Sequence, residues 1–427
     1  MSTTPLTAVR ATPKVAQRTK TQITLKRERH EPEYGILVAI VALAAIGILM
    51  VYSSSAMKAF LQRDDTFAIV GPQIQWAALG MVAMVAMMRI DYRWLRVASV
   101  PLFVIGIASL LLVFVPQLNI VVGGSARWLK IGPLPAVHPA EFMKLALVVY
   151  LAHWFAKRGS GVRGLWAGTL PFLVITVPVV VLVLLEPDLG TSSVLAFTAF
   201  TLFFLAGANL IHLAALAAAA VPMVMLLFVR GYQMDRINAW IDPWKDASGL
   251  GFHSVQGYLA LALGGLVGAG LGESRLAGGL FLPNASNDFI FAIIGEEFGL
   301  LGAGLVIVLF LAFGYLGIRT SLGAPDTFGA LLAAGITGWI CIQAFINIAV
   351  VVGLIPVTGI PLPFVSAGGS SLVISFAAIG ILLSVSRETV EKGTWNDAPA
   401  DRGRGNGRSH LPGPRRRTVA SRTTRRG

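Results

Sequence analysis

The chain has 427 residues, 55% hydrophobic and 13% charged, with a mean hydropathy of +0.74. A soluble domain carries about 25% charged residues, so a soluble globular protein is excluded. The single cysteine, Cys341, lies inside an apolar run; it rules out a disulfide framework or a cysteine metal site and reads as a small buried hydrophobe. The net charge of +13 sits mostly in the two tails, which favours membrane topology over nucleic-acid binding.

Residues 1–34 and 388–427 are basic and poor in aromatics. They read as disordered cytoplasmic tails attracted to anionic lipid. Between them lies a membrane domain, residues 35–387. A span needs roughly 20 apolar residues. Ten candidates follow in chain order, at 36–53, 68–88, 97–115, 140–156, 166–185, 189–207, 210–229, 290–318, 329–352 and 371–386. Glu186-Pro187-Asp188 divides the fifth from the sixth. More than thirty polar residues precede the first span, so no signal peptide is expected. The expected fold is all-α: a polytopic integral membrane protein of ten helices, with a long extracytoplasmic loop, 230–289, between the seventh and eighth.

Cations assign the sides. Arg10, Lys14, Arg18, Lys20, Lys26, Arg27 and Arg29 precede the first span; Arg89, Arg93 and Arg96 follow the second; Lys157, Arg158 and Arg163 follow the fourth; Arg415, Arg416 and Arg417 lie in the last tail. The positive-inside rule then puts both termini in the cytoplasm.

The polar residues gather on the opposite side. Loop 230–289 is too long to be a plain connection. Its tryptophans and apolar runs point to helices lying on the outer leaflet. It carries Arg236, Asp242 and Gln256, and ends at Asp288 before an apolar helix. Asp288 there reads as a helix cap or a site acid. Glu296 and Glu297, two turns on, read as solvated at the interface or buried against a helix. Before the fourth span stand Arg127-Trp128 and His138-Pro139-Ala-Glu141-Phe-Met-Lys144. Pro139 suits a first helical position. Glu141 and Lys144 share a helix face, as a structural ion pair or as intramembrane site residues. Arg127-Trp128 reads as an interface anchor or a phosphate contact. Asp188 again reads as cap or cavity acid.

The segment from Gly353 to Ser371 is apolar enough for a bilayer, yet Pro356, Pro361 and Pro363 forbid a continuous helix. Irregular backbone at that depth survives only inside protein or around a water-filled cavity. No nucleotide loop, hydrolase elbow or metalloprotease motif occurs. The energy for any reaction must therefore come from the substrate or from a gradient.

These motifs resemble the SEDS family (shape, elongation, division and sporulation), the polytopic peptidoglycan glycosyltransferases typified by FtsW and RodA. The resemblance covers residues 35–387. It rests on Gln343-Ala-Phe-Ile-Asn347, Gly353-Leu-Ile-Pro356-Val-Thr358-Gly359, Pro361-Leu-Pro363-Phe-Val-Ser366-Ala-Gly368-Gly369-Ser370-Ser371, and the clusters above. The basic tails and Val51-Tyr-Ser-Ser-Ser55 are closer to the FtsW-like branch. Asn284, His138 and His253 depart from the usual family residues.

The resemblance implies polymerisation of lipid II onto an undecaprenyl-linked glycan on the outer face of the cytoplasmic membrane, at the division septum. It implies Asp288 as base and Lys144 and Arg127 at the leaving pyrophosphate. Glu141 would hold Lys144. Asp188 would orient a donor group or bind a divalent cation, Mg or Mn; no other cofactor is evident. Trp128, Arg236, Gln256, Asn347, Ser366 and Ser370 would bind substrate. The implied partners are a class B penicillin-binding protein transpeptidase and other divisome membrane proteins. A flippase would share the spans and cavity, but its acids belong near mid-membrane, with inverted repeats that this chain does not show. A non-catalytic scaffold would need surfaces and no Asp288.

Overall fold

The computed structural model describes residues 31–388, apart from 123–124, 131, 133–134, 229–231, 280 and 283. The predicted tails therefore lie outside the described residues, except for positions 31–34 and 388. Thirteen α-helices and one hairpin are described: α1 Tyr34–Arg63, α2 Val70–Arg89, α3 Trp94–Leu112, β1 Asn119–Val122, β2 Ser125–Leu129, α4 Pro139–Arg158, α5 Leu170–Leu185, α6 Leu189–Leu205, α7 Leu210–Phe228, α8 Tyr232–Ile241, α9 Phe252–Gly264, α10 Arg275–Gly278, α11 Ile290–Gly323, α12 Thr327–Val351 and α13 Gly369–Ser386. The chain is a polytopic helical membrane protein.

Among the described residues, seven helices are long and apolar enough to cross a bilayer: α1, α2, α3, α5 with the turn before it, α11, α12 and α13. The other three predicted spans coincide with α4, α6 and α7. Helix α4 has 20 residues but carries Glu141, Lys144, Lys157 and Arg158; α6 has 17 and α7 has 19. Helix α1 runs ten residues past the predicted end at 53.

Helices α12 and α13 form the centre. Of their most apolar stretches 67% and 72% lie buried, against 17% for α3. Helix α12 packs on α4, α6 and α11, while α13 lies along α2. Small residues permit the close approaches. A Cβ on Gly380 would meet the Met84 carbonyl, and one on Gly80 would lie 2.5 Å from the Phe376 ring.

Three features escape the periodicity reading. Strands β1 and β2 pair as an antiparallel hairpin, extended by a bridge between Leu129 and Val137 that delivers the chain to α4. Helix α11 is broken at Gly299, whose φ is +64°. At that break residues 265–270 pair with it: Leu300 N–H donates to Gly265 O at 2.9 Å, and Ala269 N–H to Glu296 O at 2.9 Å. The glutamates at the break are buried, not solvated at an interface. Glu296 is 1% exposed and accepts from Ser274 Oγ and, at 2.8 Å, from Arg275 N–H, so it caps α10. Glu297, also 1% exposed, accepts from Ser53 Oγ on α1.

At the end remote from Asp288, charged turns are tied together. Arg93 pairs with Asp91, Asp326 and Glu388, and Arg96 meets Asp326 at 2.7 Å. Tyr92 Oη donates to Asp326 at 2.8 Å, and Asp326 caps α12 through Gly329 N–H. Half-exposed pairs of this kind fix geometry more than they stabilise.

Helix α1 supports the Pro/Gly segment through Gly47. A Cβ there would lie 2.5 Å from Phe364 O and 2.6 Å from Val365 Cα, both immobile backbone. Phe364 is itself held at φ +64° and 3% exposed. Gly47→Val should therefore destabilise the protein by about 1–3 kcal/mol and disturb the site next to it. Thermal unfolding of the purified variant checks this; an unchanged melting temperature would refute the close approach.

Candidate functional site

Residues 353–368 form no helix, so their backbone groups must find partners elsewhere. They find them in side chains from several helices. Asn347 Nδ2 donates to Ile360 O at 2.7 Å and Gln343 Nε2 to Pro361 O at 3.0 Å. Gln73 on α2 donates to Ser366 O and accepts from Gly368 N–H. Ser366 Oγ accepts from Leu362 N–H and donates to Asn287 O at 2.6 Å, while Ala367 N–H reaches Ser286 O. Helix α8 lies across the segment. Arg236 Nη1 donates to Val357 O at 3.1 Å and Trp240 Nε1 to Gly353 O at 2.8 Å. The predicted enclosure of an irregular apolar segment is thus observed.

Asp288 sits where this segment meets the end of the α10–α11 connection. It is not a helix cap: Phe289 holds the cap position of α11 and no side-chain cap bond is made. The Asp288 carbonyl accepts from Asn347 Nδ2 at 2.8 Å. Its carboxylate approaches the glycine track, with Oδ2 3.9 Å from where a Gly359 Cβ would stand. Burial pushes its carboxyl up to about 6; its own backbone N–H and the Arg236 guanidinium counter part of that rise. His253 on α9 lies within the influence of Arg236. Burial and Arg236 hold its imidazole below the ordinary range, and its ring lies 6.0 Å from Phe289.

A second cluster lies deeper. Lys144 Nζ donates to Glu141 at 2.8 and 2.9 Å and to Gln343 Oε1 at 2.7 Å, and lies over the Trp339 ring. Trp339 Nε1 donates to the same Gln343 oxygen at 3.0 Å; Ser371 Oγ donates to Glu141 Oε2 at 2.8 Å. Lys144 is 3% exposed and Glu141 5%. The predicted pair exists, with Glu141 holding Lys144. The ammonium is fully engaged inside the protein, so its influence on a leaving pyrophosphate would be through space, not through contact.

The third cluster is the mouth of α6. Asp188 caps α6 by accepting from Thr191 N–H at 3.0 Å, and its other oxygen lies 3.6 Å from His138 Nε2. The cap reading of Asp188 is therefore observed, and its second oxygen is left beside His138. His138 is buried at the start of α4, where Pro139 takes the first helical position as expected. Burial holds the imidazole below its ordinary range against the pull of Glu141 and Asp188. The Trp128 ring stands edge-on to it at 5.4 Å, and the His138 backbone N–H donates to Ser370 Oγ. Arg127 donates from Nε to Glu186 O at 3.1 Å and from Nη2 to Pro187 O, so it braces this turn. Gly190 presses the mouth against the Pro/Gly segment: a Cβ there would lie 2.9 Å from Thr358 O.

The clusters form one site. Asn347 binds both Asp288 and Ile360; Gln343 binds both Pro361 and Lys144; Glu141 reaches Ser371. Of the predicted binding residues, only Gln256 is left aside, half-buried on α9 with no hydrogen bond among the described residues.

Asn347 was expected as a substrate contact and Gln343 was noted within the family motif, whereas Trp339 and Glu186 were not expected at the site. Trp339, Gln343 and Asn347 stand four apart, one polar stripe on an otherwise apolar helix, and that spacing is the signal. Glu186 was read only as a break between spans. It is 1% exposed, neither carboxyl oxygen has a hydrogen-bond partner among the described residues, and burial beside Asp188 pushes it up to about 8 despite Arg127. The unfolded chain would ionise Glu186 near 4.5 and the folded one near 8, so the native state loses stability as pH rises between them. Glu186→Gln should melt higher than wild type at pH 8 and about equally at pH 4.5; a pH-independent difference would refute a neutral buried acid.

The FtsW/RodA/SpoVE cell cycle protein model matches residues 34–391. The chain belongs to this family. It is similar to the stage V sporulation protein E of Bacillus subtilis, 40% identical over 361 residues that cover 84% of this chain and 98% of that protein. It is also similar to the probable peptidoglycan glycosyltransferase FtsW of Geobacter metallireducens, 38% identical over 84% of this chain and 95% of the relative. Among solved structures, the FtsW/RodA/SpoVE fold matches a chain of a peptidoglycan synthase complex that coordinates polymerisation and crosslinking. The TM-score is 0.67 at 26% identity, covering 83% of this chain and 98% of that one. The rod shape determining protein RodA of Thermus thermophilus matches with TM-score 0.62 at 25% identity, covering 84% and 98%.

Proposed function

We propose that this chain is a peptidoglycan glycosyltransferase that polymerises lipid II, with both termini cytoplasmic and the Asp288 end facing outward, at the division septum. The observation that carries the reading is Asp288: a half-buried acid, released from capping, fixed through its backbone by Asn347 and faced by Arg236. Family membership and the glycosyltransferase names of the relatives support it.

In this reading the 4-hydroxyl of GlcNAc on one lipid II attacks the anomeric carbon of MurNAc on the lipid-linked strand. Asp288 takes the hydroxyl proton, a contribution of about 10²–10⁴-fold for general base catalysis. The new glycosidic bond forms as the bond to undecaprenyl pyrophosphate breaks, and the centre inverts from α to β. Arg127, two of whose nitrogens brace the 186–187 turn, offers its remaining N–H groups to the pyrophosphate. Lys144 adds positive potential from behind the Pro/Gly segment.

A divalent cation, Mg or Mn, would suit the same pyrophosphate. Among the described residues no three carboxylate, imidazole or thiolate side chains converge to hold one. Asp188 commits one oxygen to the α6 cap. The donor set does not make a resident metal site, and the steps above run on the chain's own residues. A class B penicillin-binding protein transpeptidase and further divisome membrane proteins are the proposed partners.

The test is lipid II polymerisation by the purified full chain, alone and with its cognate transpeptidase. Glycan strands are the expected product. Translocation of lipid II without polymer, even with the partner present, would replace this reading with a flippase.

A further inference from the structure

A cavity of about 320 Å³ opens at the end of the molecule remote from Asp288, lined by Pro32, Tyr34, Leu37, Met88, Arg89, Leu383 and Arg387. It lies where the start of α1 meets the ends of α2 and α13, and none of its residues belongs to the proposed site. Its size falls within the roughly 300–1,000 Å³ of small-molecule pockets. Its chemistry is split. Leu37, Met88 and Leu383 supply an apolar wall on spanning helices. Arg89 and Arg387 supply two guanidinium groups at the helix ends. Arg387 Nη1 donates to Met88 O at 3.3 Å, which orients the group and leaves its other N–H groups unspent. Neither arginine forms an ion pair with an acid among the described residues. The neighbouring Arg93 does, taking Asp91, Asp326 and Glu388. Glu31 and Glu33 flank Pro32 without an ion pair among the described residues, but neither lines the cavity, where the two cations stand beside an apolar wall.

We propose that this cavity binds an anionic phospholipid of the cytoplasmic leaflet. Its phosphate would lie between Arg89 and Arg387, and its glycerol and upper acyl carbons against Leu37, Met88 and Leu383. Guanidinium is the side chain best shaped for two-point contact with phosphate, and basic pockets between spanning helices on that side suit lipid head groups. The apolar wall is what selects a lipid over a soluble phosphate. The leaflet assignment rests on the orientation proposed above; the site itself does not.

The test uses the full chain purified in detergent, with lipid retention read by native mass spectrometry. Dioleoyl phosphatidylglycerol should be retained about tenfold more strongly than dioleoyl phosphatidylcholine. That preference should vanish in Arg89→Gln/Arg387→Gln and survive in Arg163→Gln, which removes a cation elsewhere on the same side. Leu37→Trp, which narrows the cavity without changing charge, should also lose it. Equal retention of the two lipids by wild type overturns the proposal without recourse to any variant. So does a double variant that still prefers phosphatidylglycerol. Thermal protection by glycerol 3-phosphate equal to that by phosphatidylglycerol would assign the cavity to a soluble phosphate instead. Labelling of Pro32→Cys, in a Cys341→Ser background, by an impermeant reagent outside intact cells would reverse the proposed orientation while leaving the lipid site standing.

Discussion

Asp288→Asn should abolish lipid II polymerisation, lowering the rate by at least about 10²-fold, and should leave a folded protein. Nothing in the fold depends on the carboxylate: it caps no helix, and its one structural bond, from Asn347, is to its backbone carbonyl. Wild type should show an acid limb in its pH–rate profile. The Asp288 carboxyl lies at about 6, a base must be ionised to accept a proton, and so the rate should fall as pH drops through about 6. Arg236 favours the ionised form, so Arg236→Gln should move that limb to higher pH. A raised carboxyl also weakens the native state once pH exceeds its unfolded value, because the folded chain resists ionisation. Asp288→Asn should therefore be inactive and yet melt higher than wild type at pH 8. Steady-state rates from pH 5 to 9 and melting curves at pH 8 check both halves. Full activity in the asparagine variant would remove Asp288 as the base.

Glu141→Ala should be the most destabilising of the site substitutions. It strands the Lys144 ammonium, 3% exposed, with only the Gln343 amide and the Trp339 ring beside it. Breaking a buried ion pair from one side costs about 3–5 kcal/mol, whereas replacing both partners by apolar residues is often neutral. The double variant Glu141→Leu/Lys144→Met should thus recover much of the melting temperature. Its polymerisation should stay low, because the positive potential behind the Pro/Gly segment is gone. Recovery of both stability and activity would make the pair purely architectural. Recovery of neither would mean that Gln343 and Ser371 cannot settle without their charged partners.

The helical membrane fold, the long connection before α11 and the enclosed Pro/Gly segment were legible because each follows from a local rule. Apolar runs of membrane length have few alternatives, and prolines 356, 361 and 363 cannot continue a helix. Asp288, Glu141, Lys144 and Asp188 were legible as ionisable residues at helix mouths. The β1–β2 hairpin was not, because four- and five-residue strands in a polar loop carry almost no periodic signal. Glu186 was hidden by its setting: beside Pro187 and Asp188 an acid looks like punctuation, and only its burial between α5 and α6 reveals otherwise. Glu296 was left between two readings, solvation and burial, for the opposite reason. Two adjacent glutamates suggest water, whereas the fold turns one of them onto the backbone of α10 and the other onto α1. Gln343 and Asn347 were noted in the family motif, but their four-residue spacing with Trp339 was not read as one stripe, which concealed how Asp288 and Lys144 are joined.

The joins in this site span long stretches of chain. Gln73 waits for residue 366, Glu141 for Ser371, and Lys144 for Gln343. Membrane chains are made from the N-terminus onward, so α4 is inserted with its charged pair long before the residues that complete its shell exist. During synthesis those charges must be sheltered by lipid deformation, water or an insertion factor. The site closes only when α13, the last of the described helices, arrives. A nascent chain arrested after α11 would thus carry the Lys144–Glu141 pair in the membrane without the Gln343 and Ser371 partners that complete its shell.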